Sequence, residues 1–187
     1  MQILTALISI IIFSQTTNAY TGKETGLEIP RFVSLKSNDA NIRVGPSKNY
    51  PIQIKYIKKN YPLKVLEEYE EWRKVEDFKK NIGWIHKSLI SGTRTGIVLS
   101  KDNNNIELLN TLNGSIIGEI GQGNIIKLEK CKIAWCLVST KNFRGWMDKK
   151  YIWGVKQNEI ININLLHKFE DLYWKSINSL REIQKQF

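Results

Sequence analysis

The feature that most constrains this chain is an internal repeat. The run Trp72-Arg73-Lys74-Val75 followed by Gly83-Trp84-Ile85 recurs as Trp135-Cys136-Leu137-Val138 followed by Gly145-Trp146-Met147, 62 to 63 residues later. A period of that size implies two tandem copies of one small unit. Equivalent strand-like pairs precede the first Trp of each copy, at 52–66 and 116–128. In the first copy, short β-branched or aromatic runs at 31–36, 41–44, 52–57, 63–66, 73–76 and 84–86 alternate with turn clusters such as Gly45-Pro46-Ser47, Lys58-Lys59-Asn60 and Lys79-Lys80-Asn81. Strands so short and close, with no helical period between them, predict antiparallel meanders closing into small barrels. The expected fold is mainly β, with a first barrel over 31–92 and a second over 97–156. Units of about 60 residues bury too little surface to be secure alone, so the two are expected to pack together.

The flanks read differently. Residues 3–13 are apolar except for Thr5 and Ser9, and Thr17 and Ala19 are the small residues that signal peptidase accepts. Residues 1–19 are therefore expected to be a cleaved secretion signal rather than a buried N-terminal element, with 20–30 as a linker. The apolar run is shorter than the ~20 residues a spanning helix needs, so the mature chain is expected to have no transmembrane span and to be periplasmic. At the other end, Leu166, Phe169, Tyr173, Ile177, Leu180, Ile183 and Phe187 fall at steps of three or four. That spacing predicts an amphipathic C-terminal helix within 157–187, docked across the barrels or free to bind a partner.

Charge narrows the partners. The chain has 28 Lys+Arg against 18 Asp+Glu, a formal +10, with 14 against 7 in residues 31–96 and 9 against 5 in residues 97–156. Anionic partners such as peptidoglycan, another envelope polymer or nucleic acid are favoured over cationic ones. Two His, His86 and His167, and two Cys leave little material for metal or nucleophilic chemistry, and no HExxH, paired-carboxylate or glycine-loop motif is present. No metal, cofactor or catalytic residue is expected, and the chain reads as a non-enzyme. Cys131 and Cys136 flank a hairpin, where a structural disulfide is the expectation in an oxidising compartment, ahead of a metal pair or a redox dithiol. The acids Glu67, Glu68, Glu70 and Glu71 read as a solvated hairpin tip.

The segment Asn41-Ile42-Arg43-Val44-Gly45-Pro46, then Tyr50-Pro51-Ile52, Trp72-Arg73-Lys74-Val75, Gly83-Trp84-Ile85 and Leu89, resembles the signature of bacterial SH3-like (SH3b) domains. Residues 30–154 are similar to small secreted tandem SH3-like proteins of alphaproteobacterial type. The resemblance implies two SH3-like barrels and an envelope binding module. The second copy departs from it, with Leu108-Leu109-Asn110-Thr111 in place of the Asn41 to Pro46 run; its membership rests on Trp135, Gly145 and Trp146. The aromatic-acidic loop of proline-binding eukaryotic relatives is not found, so proline-rich peptide recognition does not carry over.

Physics gives the motif residues structural roles first. Gly83 and Gly145 let a backbone approach closely, Trp84 and Trp146 are expected in the core, Arg43 is expected to bond a loop carbonyl, and Gly45-Pro46 makes a turn. Ligand contacts, if present, are expected on the first repeat, where Arg43, Tyr50, Lys58, Lys59, Tyr61 and Tyr69 could offer cations and aromatic faces together. Three functions follow: a periplasmic module binding peptidoglycan or another anionic envelope ligand, an envelope protein-protein scaffold, and a nucleic-acid-binding barrel, the last disfavoured by secretion.

Overall fold

The computed structural model describes residues 20–102 and 104–162. The secretion signal expected over 1–19 and the helical pattern from Asn164 onward lie outside the described residues. A hairpin of β1 (Tyr20–Thr21) and β2 (Glu28–Ile29) opens the described chain. The first sheet holds β3 (Arg31–Leu35), β4 (Ala40–Arg43), β5 (Ile52–Tyr56), β6 (Pro62–Tyr69), β7 (Trp72–Glu76), β8 (Ile82–His86) and β9 (Ile90–Ser91). The second holds β10 (Thr95–Val98), β11 (Ile106–Leu109), β12 (Ile116–Ile120), β13 (Ile125–Cys131), β14 (Trp135–Ser139), β15 (Arg144–Asp148) and β16 (Ile152–Trp153).

Lateral order is β5-β4-β8-β7-β6-β3-β9 in the first sheet and β12-β11-β15-β14-β13-β10-β16 in the second. Strand for strand the orders coincide, so the sequence repeat is a repeat of topology. A 3-10 turn precedes the last strand of each sheet, Lys87–Leu89 and Lys149–Tyr151, N-capped by His86 and Asp148. The architecture is mainly β, with two large sheets consistent with an SH3-like fold. No helix among the described residues is long and apolar enough to cross a membrane.

Each sheet wraps its own core. Leu35, Ile42, Leu63, Val65, Val75 and Ile85 fill the first; Leu108, Ile126, Leu128, Val138 and Met147 fill the second together with both cysteines. The glycine before each Trp is a spacing requirement. A Cβ on Gly83 would lie 2.9 Å from the carbonyl oxygen of Arg43, and one on Gly145 would lie 2.9 Å from that of Leu109. Any larger residue would push β8 from β4, or β15 from β11.

A β-bulge sits at the same place in both copies, between Val65 and Glu67 in β6 and between Leu128 and Lys130 in β13. The extra residue reverses the inward-outward alternation, so Glu68 and Cys131, which would otherwise face out, turn inward. Opposite them stand Arg73 and Cys136. The cross-strand position that carries a disulfide in the second copy, Cys131–Cys136, thus carries an ion pair in the first.

Glu68 is therefore no solvated tip residue, as the acidic run suggested; its side chain is 0% exposed. Arg31 Nη2 donates to its carboxylate at 2.7 Å, Thr25 Oγ1 at 2.7 Å, and the backbone N–H groups of Thr25 and Glu24 at 2.9 and 3.0 Å. Arg73 Nε stands 3.4 Å away. Burial pushes the carboxyl up, but the hydrogen bonds from Thr25, Arg31 and Glu24 outweigh it and hold it at about 2. Only Glu67, Glu70 and Glu71 remain at the surface.

The two sheets meet through a seam of hydroxyls and rings. Ser34 Oγ donates to the Thr93 carbonyl at 2.6 Å and contacts Thr95 Oγ1 at 2.5 Å, and Thr95 Oγ1 donates to the Asn60 carbonyl at 2.7 Å. Trp153 packs edge-on against Phe32 and Phe78, with ring centroids 5.2 and 6.4 Å away.

The described part of 157–187 is not helical. Residues 157–162 form a turn and a β-bridge between Ile161 and Cys131. The carbonyls of Gln157 and Glu159 accept hydrogen bonds from the buried Lys149 ammonium at 3.2 and 2.9 Å, which commits the acceptors a first helical turn would need.

Two outcomes follow. Replacing Cys131 and Cys136 by Ser should lower stability by about 2 kcal/mol, since so short a loop removes little chain entropy; reductant should lower the melting temperature of the parent and leave that of the double variant unchanged. Because the Glu68 carboxyl titrates lower in the folded chain than in the unfolded one, its contribution is fully present above about pH 4.5 and lost as pH falls toward 2. Glu68→Gln should cost about 3 kcal/mol at neutral pH and flatten that acid limb in denaturation curves.

Candidate functional site

Four strands of the first sheet present one paired row outward. Arg43 on β4 stands opposite Trp84 on β8, Trp84 opposite Lys74 on β7, and Lys74 opposite Glu67 on β6. The neighbours of Arg43, Trp84 and Lys74 along their strands, Ile42, Gly83, Ile85, Arg73 and Val75, are buried, so alternation turns these three to solvent, and the β6 bulge turns Glu67 out beside them. Lys74 Nζ lies 5.9 Å from the Trp84 ring centroid and 3.1 Å from Glu67 Oε2. The Tyr69 ring meets Trp84 edge-on at 6.4 Å. Arg43 Nη1 donates to the Tyr50 carbonyl at 2.6 Å, the loop-carbonyl bond its sequence context suggested. Tyr50 lies so close over Gly45 that a Cβ there would be 2.7 Å from the ring, which accounts for a glycine before Pro46. Arg43, Lys74, Trp84, Tyr69 and Tyr50 thus lie on one connected surface, with Ile52 beside Arg43 and 51% exposed.

The other residues singled out from sequence disperse. Lys58 and Lys59 are exposed on the β5–β6 loop, where the Lys59 N–H donates to Asn38 Oδ1 at 2.9 Å. Tyr61 turns inward, 4.7 Å from the Tyr56 ring and 6.2 Å from Phe78, and burial pushes its phenol up. Asn41 pairs with Lys55 in the β4–β5 ladder.

The core expectation for Trp84 and Trp146 is corrected. Both are half-buried on the outward side and neither belongs to a core cluster, because the buried glycine before each one fixes its parity. Trp146 has Lys132 Nζ 5.6 Å from its ring centroid, but its cross-strand neighbours are Leu109 and Leu137, so the second copy lacks the cations paired with Trp84.

A cavity lies on the second copy, a feature sequence reasoning missed. It has a volume of about 990 Å³ and runs between the loop 99–105 and the 3-10 turn. Trp135 and Tyr151 supply rings, Asn104 and Asn105 amides, and Lys101 and Lys150 face Asp102, Glu107 and Asp148, two cations against three carboxylates. In the first copy the corresponding pair is Trp72 and His86, opposite each other in register like Trp135 and Asp148. There Trp72 is buried, its ring edge-on to His86 at 5.3 Å. Loop length also differs: β3 and β4 are joined by four residues, 36–39, whereas β10 and β11 are joined by seven, 99–105. That polar insertion, Lys101-Asp102-Asn103-Asn104-Asn105, was the available signal in sequence.

Residues 36–92 match the family described as the bacterial SH3 domain. Comparison with curated proteins finds no match. Among solved structures, the chain is similar to NlpC1 from Trichomonas vaginalis at 13% identity, covering 84% of this chain and 54% of that one with a TM-score of 0.32. NlpC2 from the same organism aligns at 10% identity over 72% of this chain and 51% of its own, TM-score 0.30. An NlpC/P60 family protein from Bacillus cereus aligns at 10% identity over 75% and 61%, TM-score 0.29. The chain spans between half and about three fifths of the length of these proteins.

The outward placement of Trp84 has a direct check. Trp84→Ala should cost about 1 kcal/mol in denaturant unfolding, well below the 3–5 kcal/mol typical of a buried Trp, whereas Ile85→Ala should cost about 3 kcal/mol. Equal losses would place Trp84 in the core.

Proposed function

We propose that this chain is a non-catalytic binding module of the bacterial cell envelope, acting in the periplasm on peptidoglycan or another anionic envelope ligand. The observation that carries the reading is the outward row of the first sheet. Arg43 and Lys74 flank the Trp84 face, and Tyr50 and Tyr69 extend it. A glycopeptide offers sugar faces and carboxylates side by side, and a surface of alternating rings and cations matches both. The bacterial SH3 domain match over 36–92 covers this row, and the net positive charge of the first repeat favours an acidic polymer.

A second reading, an envelope scaffold that takes a protein segment, is favoured by the cavity of the second copy. Its rings, amides and slight carboxylate excess suit a peptide carrying an amine better than an acidic polymer.

Cosedimentation with purified sacculi separates the two. Lys74→Gln with Trp84→Ala should weaken sacculus binding about tenfold and reduce its salt dependence, as each lost ionic contact removes a screened interaction. Trp135→Ala should leave that binding intact. Loss with Trp135→Ala instead would transfer the ligand to the second copy, and loss only with Lys58→Glu and Lys59→Glu would move it to the β5–β6 loop.

A further inference from the structure

We propose that the junction between the two sheets holds a site for a small oxyanion, a carboxylate or a phosphoryl group. It uses no residue of the outward row or of the second-copy cavity, so it stands apart from the reading above. The site is a pocket of about 310 Å³ lined by Glu28, Arg31, Arg94, Lys156, Asn158 and Glu159. These come from the N-terminal hairpin, the first strand of the first sheet, the connection between the sheets and the turn after the second. Only the assembled pair of repeats brings them together.

The protein's own acceptors leave this pocket unsatisfied. Arg31 gives Nη2 to Glu68 at 2.7 Å. Arg94 gives Nη1 and Nη2 to Glu159, and Nη2 also to the Gly154 carbonyl at 2.8 Å, while its guanidinium lies 5.9 Å from the Phe32 ring centroid. Lys156 Nζ binds Glu28 at 2.6 Å. Two buried donors then remain with no hydrogen-bond partner among the described residues, Arg31 Nη1 and Arg94 Nε. Buried guanidinium N–H groups are almost always paired, so one unpaired N–H on each of two arginines that line the pocket points to an acceptor supplied from outside, reached once the lining shifts. The lining carries three cations against two carboxylates. Adding Glu68 and Arg73 behind Arg31 leaves the same single positive charge.

The pocket is large enough for one planar or tetrahedral anion. Guanidinium groups bind both shapes through parallel N–H bonds, and the Asn158 amide and Lys156 ammonium can complete the shell. Glu28, 61% exposed and tethered by Lys156, forms the outer wall. Swinging that ion pair aside opens the mouth, so Glu28 competes with the incoming anion and Lys156 assists it.

Titration with sodium phosphate and, separately, sodium acetate, at constant ionic strength set with sodium chloride, tests the site. One or both should raise the melting temperature saturably, as a ligand of the folded state must, and should shift the Arg94 side-chain N–H resonance in NMR spectra. Response to phosphate alone identifies a phosphoryl site, and response to acetate alone a carboxylate site. Lys156→Gln should weaken binding about fivefold and Glu28→Gln should tighten it, opposite signs that a general stability change cannot produce. Trp135→Ala should leave the titration unchanged. The proposal is overturned if neither salt acts beyond chloride, if Lys156→Gln and Glu28→Gln leave the response unaltered, or if Trp135→Ala abolishes it.

Discussion

The architecture depends on one cross-strand position, where a β-bulge turns a residue inward that the strand would otherwise show to water. In the first copy that residue is Glu68, whose carboxylate gathers Arg31, Arg73, Thr25 and the backbone of Glu24. One buried charge thereby ties the N-terminal hairpin, the first strand of the sheet and the β6–β7 hairpin together. A buried carboxylate with all its lone pairs engaged tolerates few alternative arrangements, so it specifies geometry as well as adding stability. In the second copy the same position is Cys131, bridged to Cys136, and its backbone pairs with Ile161. Both copies thus use this point to fasten a terminal segment of the chain, one by ionic hydrogen bonds and one by a covalent bond next to a backbone bridge.

From that shared frame the copies diverge. The first places cations beside an outward Trp and closes its Trp72 against His86; the second surrounds Trp146 with leucines and opens the space beside Trp135. Two changes accompany the opening, Asp148 where the first copy has His86 and a loop longer by three residues. One backbone plan thus carries two chemically different surfaces.

Much of the plan was legible in the chain itself. Short alternating runs between turn residues placed the strands, the paired Trp and Gly-Trp segments disclosed the repeat, and two cysteines across a hairpin marked the disulfide. What escaped did so for identifiable reasons. Glu68 reads as surface because a bulge is one residue long and has no compositional signature. Trp84 reads as core because size suggests burial, whereas its side is set by parity from the buried Gly83. The second-copy cavity carries no charge signature, since its lining is nearly balanced and the net charge of the chain lies elsewhere; its trace in the sequence is the polar run 101–105. Tyr61 shows the converse, an aromatic near lysines in sequence that packs against Tyr56 and Phe78.

The hydroxyl and aromatic seam joining the sheets, Ser34 to Thr95 to Asn60 with Trp153 between Phe32 and Phe78, acts on time as well as on structure. Surfaces carried on both sides of such a joint stand at a fixed offset. Once one is occupied, the other meets the same molecule at an effective concentration set by geometry and not by the reach of a flexible tether. A molecule that carried both chemistries, one suited to the ring-and-cation row and one to the second-copy cavity, would be held by both and released slowly, while either part alone would leave at the rate of a single contact.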